Sequence, residues 1–175
     1  MILVILRHIL RFVVLMLLQV LILNNVQLGS FINPFLYILF LLGLPIQTPR
    51  LLLLAIALAT GLCADMFQNT PGMHAAACLL MVYMRPRWLK IISPREGYET
   101  DAEPSIRKFG FTWFIAYASV LVLAHHLLLF YLEVFRFSEF FDTLLRILLS
   151  SVVTLLLIIL AQYIGGRPKG VQFQQ

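Results

Sequence analysis

The chain reads as an all-α polytopic membrane protein with six transmembrane helices, and three observations predict this. Apolar residues make up 61% of the 175 residues and charged residues only 12%, against roughly 25% charged in a soluble domain. Two apolar runs, 111–132 and 143–164, are each long enough to cross a hydrocarbon core of roughly 30 Å, and four more crowd the first 90 residues. The basic residues sit in alternate gaps between these runs. With the N-terminus in the cytoplasm, Arg7, Arg11, Arg50, Arg85, Arg87, Lys90, Arg95, Arg107, Lys108, Arg167 and Lys169 all lie inside, which is 11 of the 13 Lys and Arg. Only Arg136 and Arg146 fall on or near the outer side. The flipped orientation opposes the positive-inside tendency, so both termini are expected in the cytoplasm.

Six crossings in 175 residues leave room for a single integral membrane domain. The net charge of +5 is accounted for by the inside loops, where basic residues favour anionic lipid headgroups, and not by nucleic-acid binding. Cys63 and Cys78 both fall in apolar segments and form no CxxC pair, which fits small packing residues. Arg7 and Arg11 before an apolar run imitate a signal peptide, but the run ends at Asn24 and Asn25 without a small-x-small cleavage site, so it is expected to stay as the first span.

The first span is expected over 9–28, broken only by Gln19 and ending in a polar Asn24, Asn25, Gln27 patch. Gly29 and Ser30 turn the chain into a second span over 31–45, with Pro34 in its first turn, where a missing N–H is harmless. Pro45 and Pro49 bracket the next turn. The third span, 48–67, has Arg50 and Asp65 near its two interfaces, and its Ala55/Ala59 and Ala57/Gly61 pairs let helix backbones approach closely. The turn Gln68-Asn69-Thr70-Pro71-Gly72 leads into the fourth span, 72–91, rich in small residues such as Ala76. Spans three and four thus read as a tight hairpin with its tip outside.

The mixed-charge loop 93–109, with Pro94 and Pro104, reads as a solvated cytoplasmic connector that could also serve as a docking surface. The fifth span, 110–132, carries His125 and His126; the sixth, 143–164, carries Arg146 about one turn below the outer surface. Trp88, Trp113, Tyr83 and Tyr98 lie near the inner interface as anchors.

Ionisable groups at membrane depth are costly and often functional. Asp65, His74, His125, His126, Glu133, Asp142 and Arg146 gather toward the outer side. They are expected to form an ion-pair network, Arg146 with Asp65, Glu133 or Asp142, that locks helix ends; an outward-opening polar pocket is the competing reading. A metal site is disfavoured, since adjacent His125 and His126 point about 100° apart on a helix and no HExxH or Cys/His spacing occurs. Ser150, Ser151 and Thr154 lack a GxSxG context and are expected to bond to backbone carbonyls or across helices, so no enzyme activity and no cofactor are predicted.

The stretch Gly61-Leu62-Cys63-Ala64-Asp65-Met66-Phe67-Gln68-Asn69-Thr70-Pro71-Gly72-Met73-His74-Ala75 resembles the third-to-fourth helix signature of the rod shape-determining protein MreD family: a Gly, an Asp four residues on, a short polar turn, then a Gly and a small-residue helix. Arg85-Pro86, the run Ile92-Ser93-Pro94-Arg95-Glu96-Gly97-Tyr98, and His125-His126 through Phe130-Tyr131-Leu132-Glu133 are similar to the branch expected in rod-shaped Gram-negative bacteria. The resemblance spans the chain. It implies a non-enzymatic inner-membrane scaffold of the wall-elongation machinery, bound to MreC. Through MreC it would be linked to MreB, a RodA-type glycosyltransferase and a class B penicillin-binding transpeptidase. It also implies a six-helix fold similar to the substrate-binding subunit of energy-coupling-factor transporters. That likeness supplies the alternative, a small-molecule-binding transporter subunit. Against it, the first span, Phe12-Val13-Val14-Leu15-Met16-Leu17-Leu18-Gln19, has no AxxxA-type docking face and the outer loops are short.

Overall fold

The computed structural model describes residues 2–25, 32–100, 102–134 and 140–165. The expected turn at Gly29 and Ser30, Gln27, Arg136, Arg167 and Lys169 lie outside these. Among the described residues the chain is helical, without strands. Helix α1 (Ile2–Leu18) continues through a π turn, Gln19–Leu23. There follow α2 (Ile38–Leu42), α3 (Arg50–Gln68), α4 (Met73–Ile91), α5 (Ile106–Phe109), α6 (Phe111–Val134) and α7 (Phe140–Gly165). Four helical stretches are long and apolar enough to cross a membrane: Ile5–Leu23, α3, α6 and α7. Helix α4 has the length of α3, but Arg85, Pro86, Arg87 and Lys90 in its last turns lower its apolar character.

The order of packing follows from the hairpins. Helix α3 lies against α4, α4 against α6 and α6 against α7, while α1 meets α2. Helix α1 is peripheral and largely exposed, whereas about half of α6 is buried. Residues Leu51, Met66, Phe141, Leu156 and Leu160 are exposed apolar side chains, as expected of helices whose outer surface meets acyl chains instead of water.

The second segment differs from the expected spanning helix. Residues 32–35 are not helical, Leu36 and Tyr37 turn, and only the five residues of α2 are helical, about 7.5 Å of rise. Residues 34–44 are all buried, so this broken segment passes through the interior of the bundle. Pro34 therefore precedes the helix and does not open it. The physical reason is that neither end can be helical: Pro34 supplies no N–H and biases Asn33 toward extended backbone, while Gly43 and Pro45 end α2. Non-helical backbone is tolerated at membrane depth only where protein surrounds it.

The loop 93–109 also departs from a solvated connector. Ala102 and Pro104 are buried, the Ile46 N–H donates to the Ala102 carbonyl at 2.9 Å, and α5 forms within the loop, capped by Ser105. Trp88 and Trp113 donate through Nε1 to the carbonyls of Ala116 (3.1 Å) and Ile92 (3.0 Å), tying α4 to α6.

Candidate functional site

The tip of the α3–α4 hairpin is built from the Gly61–Ala75 stretch. A Cβ on Gly61 would collide with the Cα of Ala75 and come within 2.8 Å of the His74 carbonyl, so only glycine lets α3 and α4 approach this closely. Ala57 and Ala64 are buried beside it on the same face of α3. Ala55 and Ala59 are exposed, so of the two small pairs only Ala57/Gly61 packs. Ala76 is half-buried. Gly72 is exposed with φ 83°, and nothing lies near its Cβ position; it is a turn glycine and not a packing one.

Asp65 is buried and does not pair with Arg146. One carboxylate oxygen accepts from the His74 N–H (2.9 Å) and the Thr70 hydroxyl (3.0 Å), the other from the Ala75 N–H (3.1 Å). The two N–H groups are donors that the first turn of α4 leaves open, so Asp65 serves as that helix's cap from the neighbouring helix and complements its dipole. Arg146 instead donates to Glu133 at 3.1 Å, with its guanidinium carbon 4.4 Å from the centre of the Phe130 ring. Asp142 is exposed in the first turn of α7. The expected outer cluster is therefore two separate devices, a helix cap and an ion pair.

His74, His125 and His126 lie deeper, all buried, around the broken segment. The Tyr37 hydroxyl is 2.8 Å from His74 Nδ1 and 2.8 Å from His125 Nε2, and the Cys78 thiol donates to it at 3.8 Å. Tyr37 has one proton to give, so one imidazole accepts and the other donates. His125 Nδ1 is buried without a partner. A bare acceptor costs less than an orphaned N–H, which places the His125 proton on Nε2, donating to the Tyr37 oxygen, and has the Tyr37 hydroxyl donate to His74 Nδ1. His126 is fixed independently: Nδ1 donates to the Val122 carbonyl at 2.9 Å, so Nε2 accepts from the Thr154 hydroxyl at 3.2 Å. The two histidines thus serve different partners. Among the described residues, no group of three His, Cys, Asp or Glu could hold a metal ion.

Ser150 and Thr154 bond across to other elements as expected, but Gln19, Tyr117, Arg11 and Arg85 were not expected to hold the interior. At one end of the broken segment, the N–H groups of Asn33 and Phe35 donate to Ser150 Oγ and Thr154 Oγ1, both at 3.1 Å. Gln19 accepts from the Leu36 N–H at 2.7 Å and donates to the Pro34 carbonyl at 3.0 Å. At the other end the Tyr117 hydroxyl donates to the Leu42 carbonyl at 2.9 Å, and Arg11 to that of Leu39 at 3.3 Å. Arg85, 1% exposed, donates to the Leu44 carbonyl, to Pro45 at 3.4 Å and to the Tyr117 oxygen at 2.7 Å. The sequence signal for this role was the lone Gln19 in an apolar run, widened here into a π turn, and Arg85 set one residue before a helical proline. Compared with known protein families, curated proteins and solved structures, the chain finds no match.

Proposed function

We propose that the protein is a non-enzymatic membrane scaffold of the MreD type, which maintains rod shape by binding an MreC-like single-span partner in the bacterial inner membrane. MreB, the RodA-type glycosyltransferase and the class B transpeptidase are then reached indirectly. In this reading the chain crosses six times, the broken segment making the second crossing and α4 the fourth, with both termini in the cytoplasm.

The observation that carries the reading is the use made of the Gly61–Ala75 stretch on which the resemblance rests. Gly61 sets the helix spacing, Asp65 caps α4, Asn69 (φ 54°) and Gly72 (φ 83°) make the turn. Each of these residues shapes the hairpin, as suits a protein acting through its surface. The hydroxyls of Ser150 and Thr154 are likewise engaged with backbone N–H groups.

The transporter-subunit alternative draws on a different observation, the buried Tyr37–His74–His125 cluster with an unpartnered His125 Nδ1. An affinity pull-down of the tagged protein from native membranes in mild detergent, read by mass spectrometry against an unrelated membrane bait, separates the two. Enrichment of an MreC-like protein with wall-synthesis enzymes supports the scaffold. Recovery of a transporter ATPase pair without them overturns it.

A further inference from the structure

The first turns of α1 bring three basic side chains to one place. Arg7 and Arg11 are four residues apart, on one face of the helix, and both reach Glu103 of the loop before α5; the Arg11 contact is 3.9 Å. His8 Nε2 is 3.7 Å from the same carboxylate, beyond hydrogen-bond range, and is otherwise buried without a partner. One carboxylate therefore faces two permanent cations and an imidazole, and the cluster keeps at least one positive charge in excess. Arg11 is anchored, since it also donates to the Leu39 carbonyl, while the Arg7 side chain is 62% exposed.

The surface that continues from this cluster is apolar and open. On the helix, Leu3 and Leu10 flank Arg7 at i−4 and i+3, and Val14, Leu17 and Leu21 extend the same stripe. All five are exposed, Leu3 at 80% and Leu10 at 62%. From Arg7 to Leu17 the helix rises about 15 Å, half of a hydrocarbon core of roughly 30 Å. A basic group at the membrane edge joined to an exposed apolar stripe one leaflet deep matches a lipid that has a negative headgroup and two chains.

We propose that Arg7, backed by the charge of Arg11, binds the phosphate headgroup of an anionic phospholipid, whose acyl chains lie along Leu10, Val14 and Leu17. Glu103 moderates the site by neutralising one of its cations. This inference does not rest on the scaffold reading and survives its failure.

The test uses the full chain purified in non-ionic detergent, with phosphatidylglycerol or phosphatidylcholine of matched chains added and bound lipid counted by native mass spectrometry. Wild type is expected to retain phosphatidylglycerol over phosphatidylcholine. Arg7→Gln, at an exposed side chain, is expected to weaken that retention about fivefold, the worth of one basic residue at an anionic surface. Glu103→Gln is expected to strengthen it. An ion-pair clamp with no lipid predicts no retention difference for either, so opposite signs support the site. Four outcomes overturn it: no retention difference in either variant, weaker retention in Glu103→Gln, an equal loss in Arg87→Gln/Lys90→Gln at exposed positions outside the cluster, or displacement by glycerol 3-phosphate at the concentration of the lipid, which would assign the cluster to a soluble phosphate.

Discussion

The α3–α4 hairpin and the broken segment 32–44 are both buried parts of one bundle, yet they are stabilised in opposite ways. In the hairpin each helix satisfies its own backbone, and side chains have only to fit: Gly61 and Ala57 remove bulk, and one carboxylate, Asp65, closes the open turn. In the broken segment the backbone cannot satisfy itself. Its N–H and C=O groups are completed by Gln19, Ser150, Thr154, Tyr117, Arg11 and Arg85, from four other elements. Where no water is present, a helix needs packing, whereas irregular backbone needs specific polar partners.

The contrast breaks most readily at Arg85. Replacing it by Leu leaves the Leu44 carbonyl and the Tyr117 oxygen without their donor in a buried site, and removes one side of a charge-assisted network. A loss of about 1–3 kcal/mol for each acceptor left bare is expected, read as failure to accumulate or as a collapse of the thermal transition in detergent. Arg85→Lys keeps the charge without the fork and should recover part of the loss. On the hairpin side, Gly61→Leu is expected to cost about 3 kcal/mol through overpacking against Ala75 and to cut accumulation. Ala55→Leu, on the exposed face of the same helix, should change little. Normal accumulation of Gly61→Leu would show that the hairpin does not depend on close approach.

Smaller effects sharpen the comparison. Thr154→Val orphans the Phe35 N–H and should cost about 1–3 kcal/mol, while Ser151→Ala, whose hydroxyl is buried without a partner, should be neutral or stabilising in the same thermal assay. The smallest effect belongs to the ion pair near the membrane edge. Reversing Arg146 and Glu133 together should recover the loss of about 0.5 kcal/mol caused by either reversal alone, discounted because Glu133 is 39% exposed. Reversing Arg146 with Asp65 should recover nothing, since Asp65 faces backbone N–H groups.

How much was legible follows the same division. As helices, the expected segments 48–67, 72–91, 110–132 and 143–164 agree with α3, α4, α6 and α7 within three residues at each end, because length, apolarity and the turn signals at Pro49, Asn69 and Gly72 act locally; of these, α3, α6 and α7 are long and apolar enough to cross a membrane. The segment 31–45 was not legible as broken. An unbroken apolar run reads as helix, and the groups that complete its backbone lie 15–119 residues away in sequence. Its length was the available clue, since 15 residues fall short of the ~20 that a crossing helix requires. Asp65 was misread for a related reason: an acid near a helix end suggests a cation, and only the folded hairpin shows that backbone donors nine and ten residues on are its partners.

The dependence of segment 32–44 on Ser150 and Thr154 has a consequence for biogenesis. The segment emerges from the ribosome more than 100 residues before the α7 hydroxyls that cap its N–H groups exist. Until then the Asn33 and Phe35 N–H groups lack these acceptors, so the segment cannot complete its buried hydrogen bonds. Among the described residues α7, the latest helix in the chain, thus completes one of the earliest segments, and this part of the assembly runs against the direction of translation.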